Sequence, residues 1–111
     1  MSIAIAEEIG RVRDSGLPTA DIARATGADA TSVTAWKRGT RQPTGIRRER
    51  VVELAEIIRR LTRVVGLDHV QLWMIRPNEA LDDRRPLDLI GEGEFRRVAQ
   101  VVAQIESDSF S

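Results

Sequence analysis

An all-α fold is predicted for this chain: an N-terminal helix-turn-helix bundle followed by a small second helical unit. Three observations predict it. Apolar residues recur at spacings of three and four, as in Ile5, Ile9 and Val12 or Phe95, Val98, Val102 and Ile105. Gly16, Gly27, Gly39, Gly66 and Pro77 fall between these periods and punctuate them. No run is long enough to read as a strand, because Val64-Val65 and Val101-Val102 are short pairs inside helical periods.

The first helix is expected over about residues 3–14, with Ile5, Ile9 and Val12 on one face. Ser15-Gly16 ends it, and Gly16 suits a left-handed cap. Thr19 is expected to cap the second helix with its hydroxyl, and Asp21 adds negative charge to the first turn. Ala23 and Ala25 keep that helix small-faced, so a neighbour can come close. Gly27 makes the turn, and Asp29 is a good N-cap for a third helix ending near Arg38. Val33 and Trp36 lie three apart and are expected to face the core. Gly39 stops this helix and Pro43 marks the loop that follows.

The fourth helix is expected from Gly45 or Ile46 to about Val65. Val51, Val52, Leu54, Ala55, Ile57, Ile58, Leu61, Val64 and Val65 are too many apolar positions for one stripe. Packing on two sides follows, against the first three helices and against the C-terminal part, a second subunit or both, and residues 51–65 are the candidate dimer surface. Beyond Gly66, a short helix carries Leu67, Val70, Trp73 and Met74 inward and stops at Pro77. Asn78 caps a single turn, and Asp82-Asp83-Arg84-Arg85 forms a polar connector. Pro86 opens another short helix, closed by Gly91. The last helix is expected over about residues 92–106, with residues 107–111 as a short tail.

Composition narrows the function. A chain of 111 residues with 41% hydrophobic content suits one compact domain or two very small ones. It has no cysteine, which excludes disulfides and thiolate zinc sites, and His69 is its only histidine. No metal or other cofactor is therefore expected. No apolar run reaches the roughly 18 residues of a membrane span. The first residues lack the basic and apolar regions of a secretory signal, so a cytoplasmic protein is expected. The net charge of zero hides a division: residues 1–66 hold 12 Lys/Arg against 8 Asp/Glu, and residues 67–111 hold 5 against 9. A basic half and an acidic half point to two partners of different kinds. The boundary is placed after residue 66, with DNA binding and dimerisation before it and a second helical domain after it.

In a helix-turn-helix the second helix enters the major groove of DNA. With Val33 and Trp36 inward, the third helix is expected to present Thr31, Ser32, Thr34 and Ala35. Their methyl groups suit thymine methyls, and their hydroxyls can bond base edges or phosphates. Lys37, Arg38 and Arg41 are expected to flank the groove and neutralise phosphate. The run from Trp36 through Gly39 and Arg41 to Pro43 resembles the W-x-x-G-x-x-x-P ending of Xre/Cro-type DNA-binding domains.

The second half carries its own pattern. Trp73, Pro77-Asn78 and Leu81 are followed by Arg85-Pro86-Leu87-Asp88-Leu89 and then Gly93-Glu94-Phe95-Arg96-Arg97-Val98. This order resembles the toxin-binding domain of Xre-type antitoxins, the MbcA/ParS group, which are partners of RES-domain toxins. The resemblance implies a type II antitoxin that blocks an NAD-consuming toxin and represses its own operon as a homodimer on operator DNA. It marks Arg85, Glu94 and Arg97 as toxin contacts, and Ser107, Asp108, Ser109, Phe110 and Ser111 as a tail entering the toxin cleft. Family members often carry Gly where this chain has Asp108.

Other readings of the same residues are bland. Phe110 can pack back on the last helix, Arg85 can pair with Asp82, Asp83 or Asp88, Trp73 suits the core, and His69 suits the surface. The competing function is a stand-alone repressor whose second half serves only oligomerisation. No enzyme is expected: Asp82-Asp83 lies in a connector, and the chain lacks a usable histidine, a cysteine or a phosphate-cradling glycine loop.

Overall fold

The computed structural model describes residues 4–110, the side chain of Phe110 excepted. Ile3 and Ser111, at the two ends of the expected helix and tail, lie outside the described residues. In chain order the helices are α1 (Ile5–Asp14), α2 (Thr19–Thr26), α3 (Ala30–Arg38), α4 (Gly45–Val65), α5 (Leu67–Ile75), α6 (Pro86–Gly91) and α7 (Phe95–Phe110). A 3-10 turn, Glu79–Leu81, stands between α5 and α6. Among the described residues there is no strand, only an isolated antiparallel bridge between Asn78 and Arg84.

α4 is the spine. It packs against α1, α2, α5, α6 and α7. Val51, Leu54, Ala55, Ile57, Ile58 and Leu61 are buried, and each large aliphatic so placed is worth about 1.5–3 kcal/mol. The broad apolar set of α4 is thus consumed by the chain's own helices. Residues 51–65 do not form the open dimer surface that the sequence suggests. Val52, Val64 and Val65 are half-buried.

The N-terminal helices assemble on one end of this spine. Ile5, Ile9 and Val12 of α1 are buried, and α1 lies against α4. The buried Ser15 hydroxyl donates to the Val12 carbonyl at 2.5 Å and accepts from the Leu17 amide at 3.2 Å. Thr19 does not cap α2. The cap is Pro18, whose extended backbone (φ −60°, ψ 149°) starts the helix one residue earlier than expected. The Thr19 hydroxyl instead accepts a bond from Lys37 Nζ at 2.8 Å. α2 ends at Gly27, in the left-handed region at φ 74°.

In the second half, Val70 and Met74 are the buried residues of α5. One expectation fails there and one is met in part. Leu67, at the first helical residue, lies beyond the packed stretch and is 48% exposed, beside Arg11 and Asp14 of α1. Trp73 is only half-buried, packed on the margin of the core. The Asn78 side chain accepts from the Ala80 amide at 2.9 Å and so caps the 3-10 turn as expected. Pro86 opens α6, and Leu87, Leu89 and Ile90 have no exposed surface.

Gly91 does not stop α6; it is the last helical residue. A Cβ at this position would lie 2.6 Å from the Arg24 carbonyl oxygen of α2. The glycine is there for close approach of two backbones. α7 then starts three residues later than expected, because Gly93 (φ 87°) reverses the chain and the Glu94 amide bonds the Leu89 carbonyl at 2.8 Å. It also ends later. Residues 107–110 continue the helix instead of leaving it as a tail, with Gln104 Nε2 donating to Asp108 Oδ1 at 3.1 Å one turn back. A clamp fixes this stretch to the spine. The Arg60 guanidinium donates to Glu106 Oε1 at 2.6 and 3.1 Å and to the Ala99 carbonyl at 3.4 Å. That hydrogen bond holds the Glu106 carboxyl below its usual range.

Two measurements check this packing. Gly91→Ala is expected to destabilise the chain by about 1–3 kcal/mol through overpacking, seen as a lower Tm in thermal circular dichroism. An unchanged Tm would show that α2 and α6 have room between them. Because the folded-state pKa of Glu106 is lowered, its contribution is present above the ordinary carboxylate range and is lost as pH falls through the folded value. Glu106→Gln is therefore expected to be less stable than the parent at pH 7, with the gap closing in acid. Urea midpoints at several pH values read this, and a pH-independent gap contradicts it.

Candidate functional site

The first surface is built by α3. The Asp29 carboxylate accepts from the Ser32 amide at 2.7 Å and caps the helix. That bond, reinforced by the Ser32 hydroxyl, lowers the Asp29 pKa, and the charges of Arg47 and Arg41 add to the effect. Val33 and Trp36 are buried, at 1% and 5% exposure. Gly39 ends the helix in the left-handed region at φ 76°.

This anchoring turns Thr31, Thr34, Ala35 and Arg38 outward, where they border one shallow concavity with Ala30 and Thr40. Arg38 and Arg41 are exposed beside it. Two expected members of the set behave differently. Ser32 is buried, at 4% exposure. It precedes Trp36 by four residues and so shares the inward stripe. Lys37 is half-buried and reaches back to Thr19, tying the end of α3 to the start of α2.

The second surface follows the Asn78 turn and α7. Asp82 and Asp83 both take left-handed backbone conformations, φ 58° and 61°, which Asp tolerates better than most residues. The Asn78 carbonyl holds the Asp83 amide at 2.9 Å, and the Arg84 carbonyl accepts from the Asn78 amide at 3.0 Å. Arg97 reaches Asp82 Oδ2 at 2.9 Å, and Arg84 pairs with Glu92. Arg85 lies 3.9 Å from Asp88, which also meets Arg24 of α2 at 3.5 Å. These are exposed pairs of small energetic value, and they set the charge pattern of the face. Asn78, Leu81, Arg97, Val101 and Ile105 line a concavity along α7.

The structure brings Arg85 and Arg97 to the connector and leaves Glu94 exposed at the start of α7. Ser107, Asp108 and Ser109 are exposed on its last turn. At 1.5 Å per residue, the two groups sit about 20 Å apart along the helix. Phe110 belongs to that turn by its backbone. Among the described residues no group of His, Asp and Glu side chains is placed to hold a metal ion. No helix among them is long and apolar enough to cross a membrane. His69 is exposed on α5.

Two features went unseen in the sequence. The Arg60–Glu106 clamp joins residues 46 apart, and no local pattern announces such a pair. A groove lined by Val65, His69, Leu72, Trp73, Arg76 and Pro77 opens beside α5. The exposed Leu72, on the side of α5 away from Val70, is its sequence signal.

These two surfaces stand on a fold found elsewhere. A family model described as the antitoxin Xre/MbcA/ParS C-terminal toxin-binding domain matches residues 60–107. The mycobacterial cidal antitoxin MbcA of Mycobacterium tuberculosis is 31% identical over 93 residues, covering 84% of this chain and 82% of the relative. The MbcA of Mycobacterium bovis matches to the same extent. A chain of the crystal structure of the M. tuberculosis MbcT–MbcA toxin–antitoxin complex superposes with a TM-score of 0.84 at 28% identity, covering 99% of this chain and 100% of that one. The Asn78 turn, the Arg85-Pro86 helix start and the Glu94–Val98 stretch all lie within the matched segment. With this likeness running along most of its length, the chain belongs to the Xre/MbcA/ParS antitoxin family.

Proposed function

We propose that this chain is a type II antitoxin that binds and sterically blocks a RES-domain, NAD-consuming toxin and represses its own operon by binding operator DNA. One observation carries the reading: nearly the whole chain shares its fold with MbcA from a toxin–antitoxin complex. The roles divide near Gly66. Residues 1–66 bind DNA and residues 67–111 bind toxin, in keeping with the basic and acidic halves.

On the toxin side, Arg85, Glu94 and Arg97 offer charged contacts on one part of the face. Ser107, Asp108, Ser109, Phe110 and Ser111 reach the toxin's cleft from the end of α7. The protein contributes no catalytic step; it acts in the cytoplasm by occupying space the toxin needs. On the operator side, Thr31, Thr34 and Ala35 meet base edges while Arg38 and Arg41 neutralise phosphates. Lys37 braces α3 against α2 through Thr19. A homodimer sets two recognition helices on neighbouring major grooves, roughly 34 Å apart in the simplest arrangement.

Co-expression with a neighbouring RES-type toxin gene is expected to restore growth and cellular NAD. A fully active toxin in the presence of normal antitoxin levels removes the toxin half of the reading. The double variant Arg38→Glu, Arg41→Glu is expected to weaken operator binding by more than about tenfold and to flatten the salt slope by about two ions, with toxin neutralisation retained. If affinity and slope both stay as in the parent, these arginines do not touch DNA.

A further inference from the structure

The exposed side of α5 has no assigned role, and its residues form a self-complementary set. Leu72 is 41% exposed and shares a groove with His69, Trp73 and Arg76. Asp68 and Leu72 lie one turn apart on α5, and Arg76, the extended residue that caps the helix, follows Leu72 by the same interval of four. All three are exposed. Among the described residues neither Asp68 nor Arg76 forms an ion pair. The unlike charges stand equally far from Leu72, about 6 Å along the axis on either side.

That spacing has a symmetry. If a second α5 lies antiparallel across Leu72, a two-fold axis through Leu72 carries position 68 onto position 76. Each Asp68 then meets the partner's Arg76, and each Leu72 meets its own copy. With opposite lateral offsets of about 40° on the helix wheel, the acid and the base land on the same side of the contact. An isologous interface requires this self-matching. A partner of other sequence does not require the two charges to be opposite and equidistant.

We propose that α5 is the interface between two copies of this chain, with Leu72 on the two-fold axis and Asp68 of each copy paired with Arg76 of the other. The face replaces α4 as the dimer surface, since α4 is buried within the chain. The inference supplies the homodimer that the operator reading uses. Its test needs neither DNA nor toxin, so its failure is separable from failure of that reading.

The full chain alone is measured by sedimentation equilibrium over a wide concentration range. A concentration-dependent dimer is expected. Leu72→Glu is expected to raise the dimer Kd at least about a hundredfold, as loss of a central apolar anchor does, with the helical circular dichroism unchanged. Asp68→Arg and Arg76→Asp are each expected to raise it roughly tenfold. The double variant Asp68→Arg, Arg76→Asp is expected to return it to near the parental value. A chain that is monomeric at all concentrations overturns the proposal. So does a dimer indifferent to Leu72→Glu, or a double variant no better than the singles. If Leu72→Glu leaves the mass unchanged and abolishes toxin capture, the face belongs to the toxin and the dimer proposal falls.

Discussion

Everything in this molecule leans on the burial of α4. Leu54, Ala55, Ile57 and Leu61 have no exposed surface, which a single helix achieves only when neighbours cover it on several sides. α1 and α2 cover one part and α5, α6 and α7 another. Apolar side chains from both sides of Gly66 therefore join one buried cluster. The hydrophobic effect is indifferent to partner identity, so the detailed arrangement around α4 is set by smaller devices. These are the Asp29 cap, the Gly27 and Gly93 reversals, the missing side chain at Gly91 and the Arg60–Glu106 clamp. Each fixes where a helix begins, turns or ends along the spine.

The helices were legible because their signals are local. Asp29 caps α3 and Pro86 opens α6 as the sequence predicts, since both effects need only the next few residues. α4 runs to Val65 as its period requires. The misses have a common cause in tertiary context. Thr19 loses the cap because Pro18 already has the fitting backbone angles and Lys37 takes the hydroxyl. Leu67 stays in solvent because the packed stretch of α5 starts at Val70. The end of α7 stays helical through Phe110, where the sequence suggests a tail, with Arg60 holding Glu106 one turn earlier. Ser32 was readable and misread: its spacing from Trp36 already puts it inside. The candidate DNA face was largely visible for the same reason, since Val33 and Trp36 fix the opposite side of a short helix.

The charges are distributed unevenly over the two halves of the chain. Arg38 and Arg41 stand exposed near the α3 face, where a polyanion would find them. Around the connector the arginines are matched instead: Arg84 with Glu92, Arg97 with Asp82, Arg85 with Asp88. A face of alternating, partly satisfied charges favours a partner with a fixed pattern of its own, and gives selectivity more than affinity. The excess of acidic groups in this half disfavours contact with a uniform polyanion.

The contact at Gly91 bears on how such proteins can be recombined. α6 touches α2 through bare backbone, with the Arg24 carbonyl where a side chain would otherwise stand. Asp88 on the same short helix meets the Arg24 guanidinium. The acidic half is therefore not a cartridge that plugs onto any helix-turn-helix. A chimera that grafts residues 67–111 onto a different N-terminal domain inherits a six-residue helix cut to the contour of one particular α2. A graft that preserves this contact carries α2 along with α4 and α6 as one inherited block, and leaves only the outward residues of α3 to be exchanged.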